Sequence, residues 1–137
     1  MAKAKMVHRM FVHDSQVLAY SADSRSGEVL LHLREGNEGS PLFDLRFHGV
    51  VAHQFPYPLM PSWVYDLATV SADELLEREW TAIAEGFRLV GWPGHWADSL
   101  ASAQAYCRQQ GVTGYDLETS YGMTGWVLAK SVERTSV

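Results

Sequence analysis

Apolar and polar positions alternate most regularly between Leu42 and Phe55, in the stretch LFDLRFHGVVAHQF. Phe43, Leu45, Phe47, Val51, His53 and Phe55 share one parity, and Asp44, Arg46 and His48 the other. That is the period of a strand with one buried face. Gly49 interrupts the pattern where a bulge or bend is expected. Beyond it Val50, Val51 and Ala52 make both parities apolar, so the strand is expected to enter a better-covered part of its sheet.

Further strands follow from the same period. Met6 to His13 is mixed on both parities, and Ser15 to Ala22 carries Val17, Leu18, Ala19 and Tyr20. In Glu28 to Arg34, Val29, Leu31 and Leu33 oppose Glu28, His32 and Arg34, with Leu30 on the polar side. The turn-forming run Asp23 to Gly27 joins the second and third of these segments as a hairpin. A second turn cluster, Glu35 to Pro41, returns the chain into the Leu42 strand. Antiparallel pairing would then set Glu28, His32 and Arg34 beside Asp44, Arg46 and His48 on one solvated face. Trp63 to Val70 reads as another strand, with Trp63, Tyr65, Leu67 and Thr69 on one parity. Tyr115 to Tyr121 and Trp126 to Val132 flank Gly122 to Gly125 as a closing hairpin.

Two helices lie between. Ser71 is a capping residue with Glu74 at the reciprocal position, and Leu76, Trp80, Ile83 and Phe87 recur at helical spacing. Asp73, Glu74, Glu77, Glu79 and Glu85 surround that stripe as an acidic face, and Gly91 with Pro93 ends the helix by Val90. A second helix runs from Asp98 or Ser99 to Gln110, packing Leu100, Ala103 and Cys107, with Gly111 as terminator. The segment containing Pro56, Pro58 and Pro61 also holds Phe55, Tyr57 and Trp63, which points to a packed crossover. The predicted architecture is an α+β fold, a mainly antiparallel β-sheet with two helices packed on one face, in a single compact globular domain over residues 1–137.

Bulk properties narrow the classes. A chain of 137 residues buries about two thirds of its extended surface without staples. The one cysteine, Cys107, excludes an internal disulfide and the multi-cysteine zinc motifs. No apolar run is long enough for a membrane helix, and MAKAKMVHRM lacks an uninterrupted apolar segment, so a cytoplasmic protein with no membrane partner is expected. The net charge of -5, with Lys3, Lys5 and Lys130 near the chain ends, argues against nucleic acid as a partner.

Candidate chemistry is sparse. The six histidines form no HExxH or zinc-ligand spacing, and no nucleophile elbow or phosphate-binding glycine motif occurs. No catalytic residue, metal or cofactor is assigned. Any recognition by the polar face would favour an anion over a divalent cation, because Arg34 and Arg46 would repel the metal. His53 shares the apolar parity and is expected in the core or at a pocket edge. The leading reading is a non-catalytic interaction module that neutralises or accompanies a basic protein partner through Glu74, Glu77, Glu79, Trp92 and Trp96. The alternative is a small-ligand binding protein or enzyme with an aromatic pocket of His53, Tyr57, Trp63 and His95. An open sheet edge would also permit a homodimer.

Overall fold

The computed structural model of the chain describes residues 14–36, 40–56, 60 and 62–137. The strand expected over Met6 to His13 and the pocket candidate Tyr57 lie outside those residues. The strands are β1 (Ser15–Asp23), β2 (Glu28–Glu35), β3 (Leu42–His48), β4 (Ala52–Gln54) and β5 (Ser62–Val70), followed by β6 (Thr113–Tyr121), β7 (Gly125–Ala129) and β8 (Ser131–Ser136). Helices α1 (Ala72–Val90) and α2 (Leu100–Gln110), with a short 3-10 turn at His95–Ala97 between them, separate β5 from β6. The fold is α+β, with every strand pair among the described residues antiparallel.

The sheet order β4-β7-β6-β5-β1-β2-β3-β8 hides a closure. β3 runs on into β4, and β7 runs on into β8. The first composite strand pairs with the second along its length, from Phe43 opposite Ser136 to Gln54 opposite Trp126. The eight segments are thus six strand runs joined in a ring: β3–β4, β2, β1, β5, β6 and β7–β8. The ring is sheared, as barrels are. β1 meets β5 only through Ser15 to Val17, so among the described pairings its later residues are bonded on the β2 side alone.

The bend that accompanies closure falls at Gly49. This residue has φ of +61°, and the Lys130 N–H is shared between the carbonyls of His48 at 2.9 Å and Gly49 at 3.3 Å. Two residues of one strand therefore oppose one of its partner, the bulge expected from the sequence. The bulge bends the composite strand out of the β2–β3–β8 wall and into the β4–β7 wall.

The small ring is filled by side chains, as its size requires. Val17, Leu31, Leu33, Leu45, Phe47, Leu67, Leu117 and Val127 form one buried cluster inside it, with Phe55 and Met123. Arg134 covers Phe43, its guanidinium carbon 3.8 Å from the ring centroid, and pairs with Glu35. Trp63, Tyr65, Leu67 and Thr69 do not share a face as expected. Shifts of register at Trp63/Val64 and Val64/Asp66 break the parity, so Val64 and Leu67 are buried while Tyr65 is 57% exposed.

The outer surfaces divide in two. On the β2–β3–β8 side the charged face forms as the sequence suggested. His32 Nδ1 lies 2.8 Å from Asp44, Arg46 donates to Glu28 at 2.9 Å, and His48 lies between Glu28 and Glu133 at 3.2 and 2.7 Å. Arg34 donates to Gln16, so both arginines already have acceptors. On the β4–β7 side, where the sequence turned apolar, both helices cover the outer face: Leu75, Leu76, Ile83, Ala103 and Cys107 pack with Ala52, Trp126 and Leu128. The Glu74 N–H donates to Ser71 Oγ at 3.1 Å, and Gly91, with φ of +74°, closes α1 by donating its N–H to the Phe87 carbonyl. Ser99 caps α2 in the same way through the Ser102 N–H.

Candidate functional site

Among the described residues, two concavities lie beside the helix-covered wall. The first, of about 330 Å³, lies where the ring parts after Phe47. β2 has reached its end there, and the Val50 N–H donating to the Gly27 carbonyl at 2.8 Å ties the β1–β2 turn to the composite strand. The turn supplies Asp23, Ser24, Gly27 and Glu28 to one side, Val50, Val51, Ala52 and His53 form the other, and Trp92 with Pro93 adds a further wall. The Trp92–Pro93 peptide is cis, and Trp92 packs against Gly86 of α1 and lies 6.2 Å, centroid to centroid, from Trp126. An alanine methyl at Gly86 would come within 2.6 Å of the Trp92 ring, so the absence of a side chain there is what seats the indole.

His53 is the polar group of greatest interest in this cleft. It is half-buried, its ring 5.9 Å from that of Phe55, and no hydrogen-bond partner for it is found among the described residues. Loss of hydration disfavours the imidazolium and holds its pKa below the ordinary value. A neutral imidazole of this kind presents one donor and one acceptor nitrogen. The two carboxylates in the lining are engaged elsewhere: Arg25 holds Asp23 below the usual carboxylate range, and Glu28 receives Arg46 and His48.

The second concavity, of about 310 Å³, runs between α1 and the β6–β7 wall. Glu79, Asp116 and Glu118 contribute carboxylates to it and Arg78 a guanidinium, with Gln54, Pro56, Thr124 and Trp126 completing much of the lining. Arg78 forks onto both oxygens of Asp116 at 2.9 and 2.7 Å and reaches Glu79 at 2.8 Å. The Asp116 bonds push the Arg78 pKa further upward, with Glu79 adding to the shift against the desolvation cost. Trp126 is only 3% exposed, and its indole N–H has no acceptor among the described residues.

The residues singled out from sequence separate. Glu79 lines the acidic groove and is partly covered. Glu74 is exposed and accepts from the Ser71 hydroxyl at 3.3 Å, while exposed Glu77 accepts from Gln104 of α2. Asp73 pairs with Arg108 and Glu85 with Arg88, so part of the acidic face is neutralised within the chain. Trp92 belongs to the first cleft, whereas Trp96 stacks on Tyr106 with centroids 4.9 Å apart. His53 lines the first cleft, but Trp63 sits on β5 opposite Tyr121 and Gln16, and His95 packs edge-on against Phe87. The alternative pocket is therefore not assembled from His53, Trp63 and His95 together. Its actual walls include Val50, Pro93 and the β1–β2 turn, which sequence spacing does not connect.

Cys107 is fully buried on α2, and burial followed by the Asp73 charge pushes its thiol up to about 11. It behaves as a small core residue. No helix among the described residues is long and apolar enough to cross a membrane, and no cluster of metal-binding side chains occurs among them. Comparison with protein-family models, curated proteins and solved structures found no match.

Proposed function

We propose that this protein is a non-catalytic interaction module that receives a basic segment of a protein partner in the groove between α1 and the β6–β7 wall. The observation that carries this reading is the charge of the groove, where Glu79, Asp116 and Glu118 face a single guanidinium, that of Arg78. One carboxylate, Asp116, is consumed by the forked bond to Arg78, and Glu79 shares the same cation. Glu118, exposed on β6, adds charge that Arg78 does not reach with a hydrogen bond. A Lys or Arg side chain entering the groove finds complementary charge. Glu74 and Glu77 lie on the same helix and extend the negative field that speeds encounter.

The test uses the intact chain and a decalysine peptide, followed by calorimetry and amide exchange at low and moderate salt. Saturable binding, protection of β6 and the start of β7, and a clear loss of affinity in E79Q/E118Q support the reading. The expected loss is about 3–30-fold, the scale of two partly exposed charge contacts. Binding that survives the double substitution, or protection confined to other surfaces, overturns it. A partner captured from lysate counts only when it is basic, reconstitutes a complex from purified components and competes with the peptide.

A further inference from the structure

We propose that the cleft between the β1–β2 turn and the β4 strand is a second, separate binding site for a neutral aromatic small molecule carrying one hydrogen-bonding group. The walls are mostly apolar: Val50, Val51 and Ala52 lie beside the Trp92 indole and Pro93. A planar ring is the shape that gains most from packing on an indole while leaving little conformational freedom to lose. His53 supplies the polar contact, since its imidazole reaches the cleft without a hydrogen-bond partner among the described residues. Such a group is only partly hydrated, and a ligand hydroxyl or carbonyl completes it.

Charge selects further. Asp23 and Glu28 sit on the turn side of the cleft, Asp23 paired with Arg25 and Glu28 with Arg46 and His48. An anionic ligand would approach two carboxylates with no uncommitted cation in the lining to receive it. The volume of about 330 Å³ lies at the small end of ligand sites, suited to a single-ring compound rather than a dinucleotide. The site shares no lining residue with the acidic groove, so neither proposal depends on the other.

The experiment titrates the whole chain with para-cresol, toluene and para-hydroxybenzoate, reading amide and side-chain resonances by two-dimensional NMR. Para-cresol is expected to bind saturably, with its largest shifts at His53, Val51 and Trp92. Toluene, which keeps the ring and loses the hydroxyl, should bind about 2–10-fold more weakly, and para-hydroxybenzoate more weakly than para-cresol. H53F retains aromatic bulk and should bring para-cresol down to the level of toluene. Equal binding of para-cresol and toluene to the unaltered chain, absence of saturation, or shifts centred away from the cleft would each overturn the proposal. The first of these outcomes needs no variant, so a folding defect in H53F does not protect the idea.

Discussion

Replacing Gly49 with alanine tests whether the ring depends on a left-handed residue at its bend. With φ of +61° the position lies where an L side chain is strained, at a cost of about 1–2 kcal/mol. The alanine also narrows the unfolded ensemble, which returns about 0.4–1 kcal/mol. The added methyl would stand 2.7 Å from Cγ and 2.8 Å from Cδ of Lys130. Lys130 is exposed and its stem can swing away, so that contact adds only ~0.5 kcal/mol, the scale of surface changes. The balance is a net loss of about 1 kcal/mol, or roughly 3–5 °C in Tm for a domain of this size. Urea unfolding followed by tryptophan fluorescence measures it, on Gly49→Ala, Gly49→Asn, Lys130→Ala and the Gly49→Ala/Lys130→Ala pair. Asparagine tolerates the left-handed region and should lose less than alanine. Removing the lysine stem should recover only the steric part. If Gly49→Ala matches the parent, or Lys130→Ala restores it fully, backbone strain at the bulge is not what the position imposes.

Other sites yield sharper or simpler outcomes. Gly125→Ala should destabilise more than Gly49→Ala, by about 3 kcal/mol in the same urea assay, because its methyl meets the Gln54 carbonyl and lies 2.5 Å from Phe55 Cδ1. The Cys107 thiol, raised to about 11 by burial, should resist a disulfide reagent in the native chain at mildly alkaline pH and react on unfolding. Because its folded pKa exceeds the unfolded one, its share of stability is whole below about pH 9 and is lost as pH climbs toward about 11, an effect Cys107→Ala removes. His53 has the opposite sense: its folded pKa is depressed by lost hydration, so its contribution is present above the ordinary histidine value and falls away on acidification. NMR titration should give a midpoint below 6.5, and a midpoint at or above it refutes the burial described for this ring.

Local signals in the sequence were enough for most elements. The Ser71 cap and the Gly91 stop bounded α1, and Ser99 and Gly111 bounded α2, because caps are short-range chemistry. The bulge at Gly49 and the change of cover beyond it were legible in the parity of Leu42 to Phe55. Closure was not, since it depends on pairing that strand with Gly125 to Ser136 far along the chain, and alternation carries no record of its partner. The β5 face was misassigned because irregular pairing with β6 overrides a regular period. The same limit applied to the sites. Glu79 and His53 were visible as candidates, but Asp116, Glu118 and Trp126 join Glu79 only through the packing of α1 on β6–β7. The wall opposite His53 comes from a turn and a helix-terminal loop that periodicity treats as connections.

The composite ladder of β3–β4 with β7–β8 also has a consequence in time. Its two members are made far apart during synthesis: β1, β2 and β3 leave the ribosome before β6, β7 and β8 exist. Until then Leu31, Leu33, Leu45 and Phe47 belong to an open meander whose inner face has no lid. Contacts this distant along the chain slow folding, because the connecting segment must be ordered before the pairing rewards it. The apolar inner face of β1–β3 therefore waits for strands made later, and the yield in cells should depend on how quickly translation delivers them.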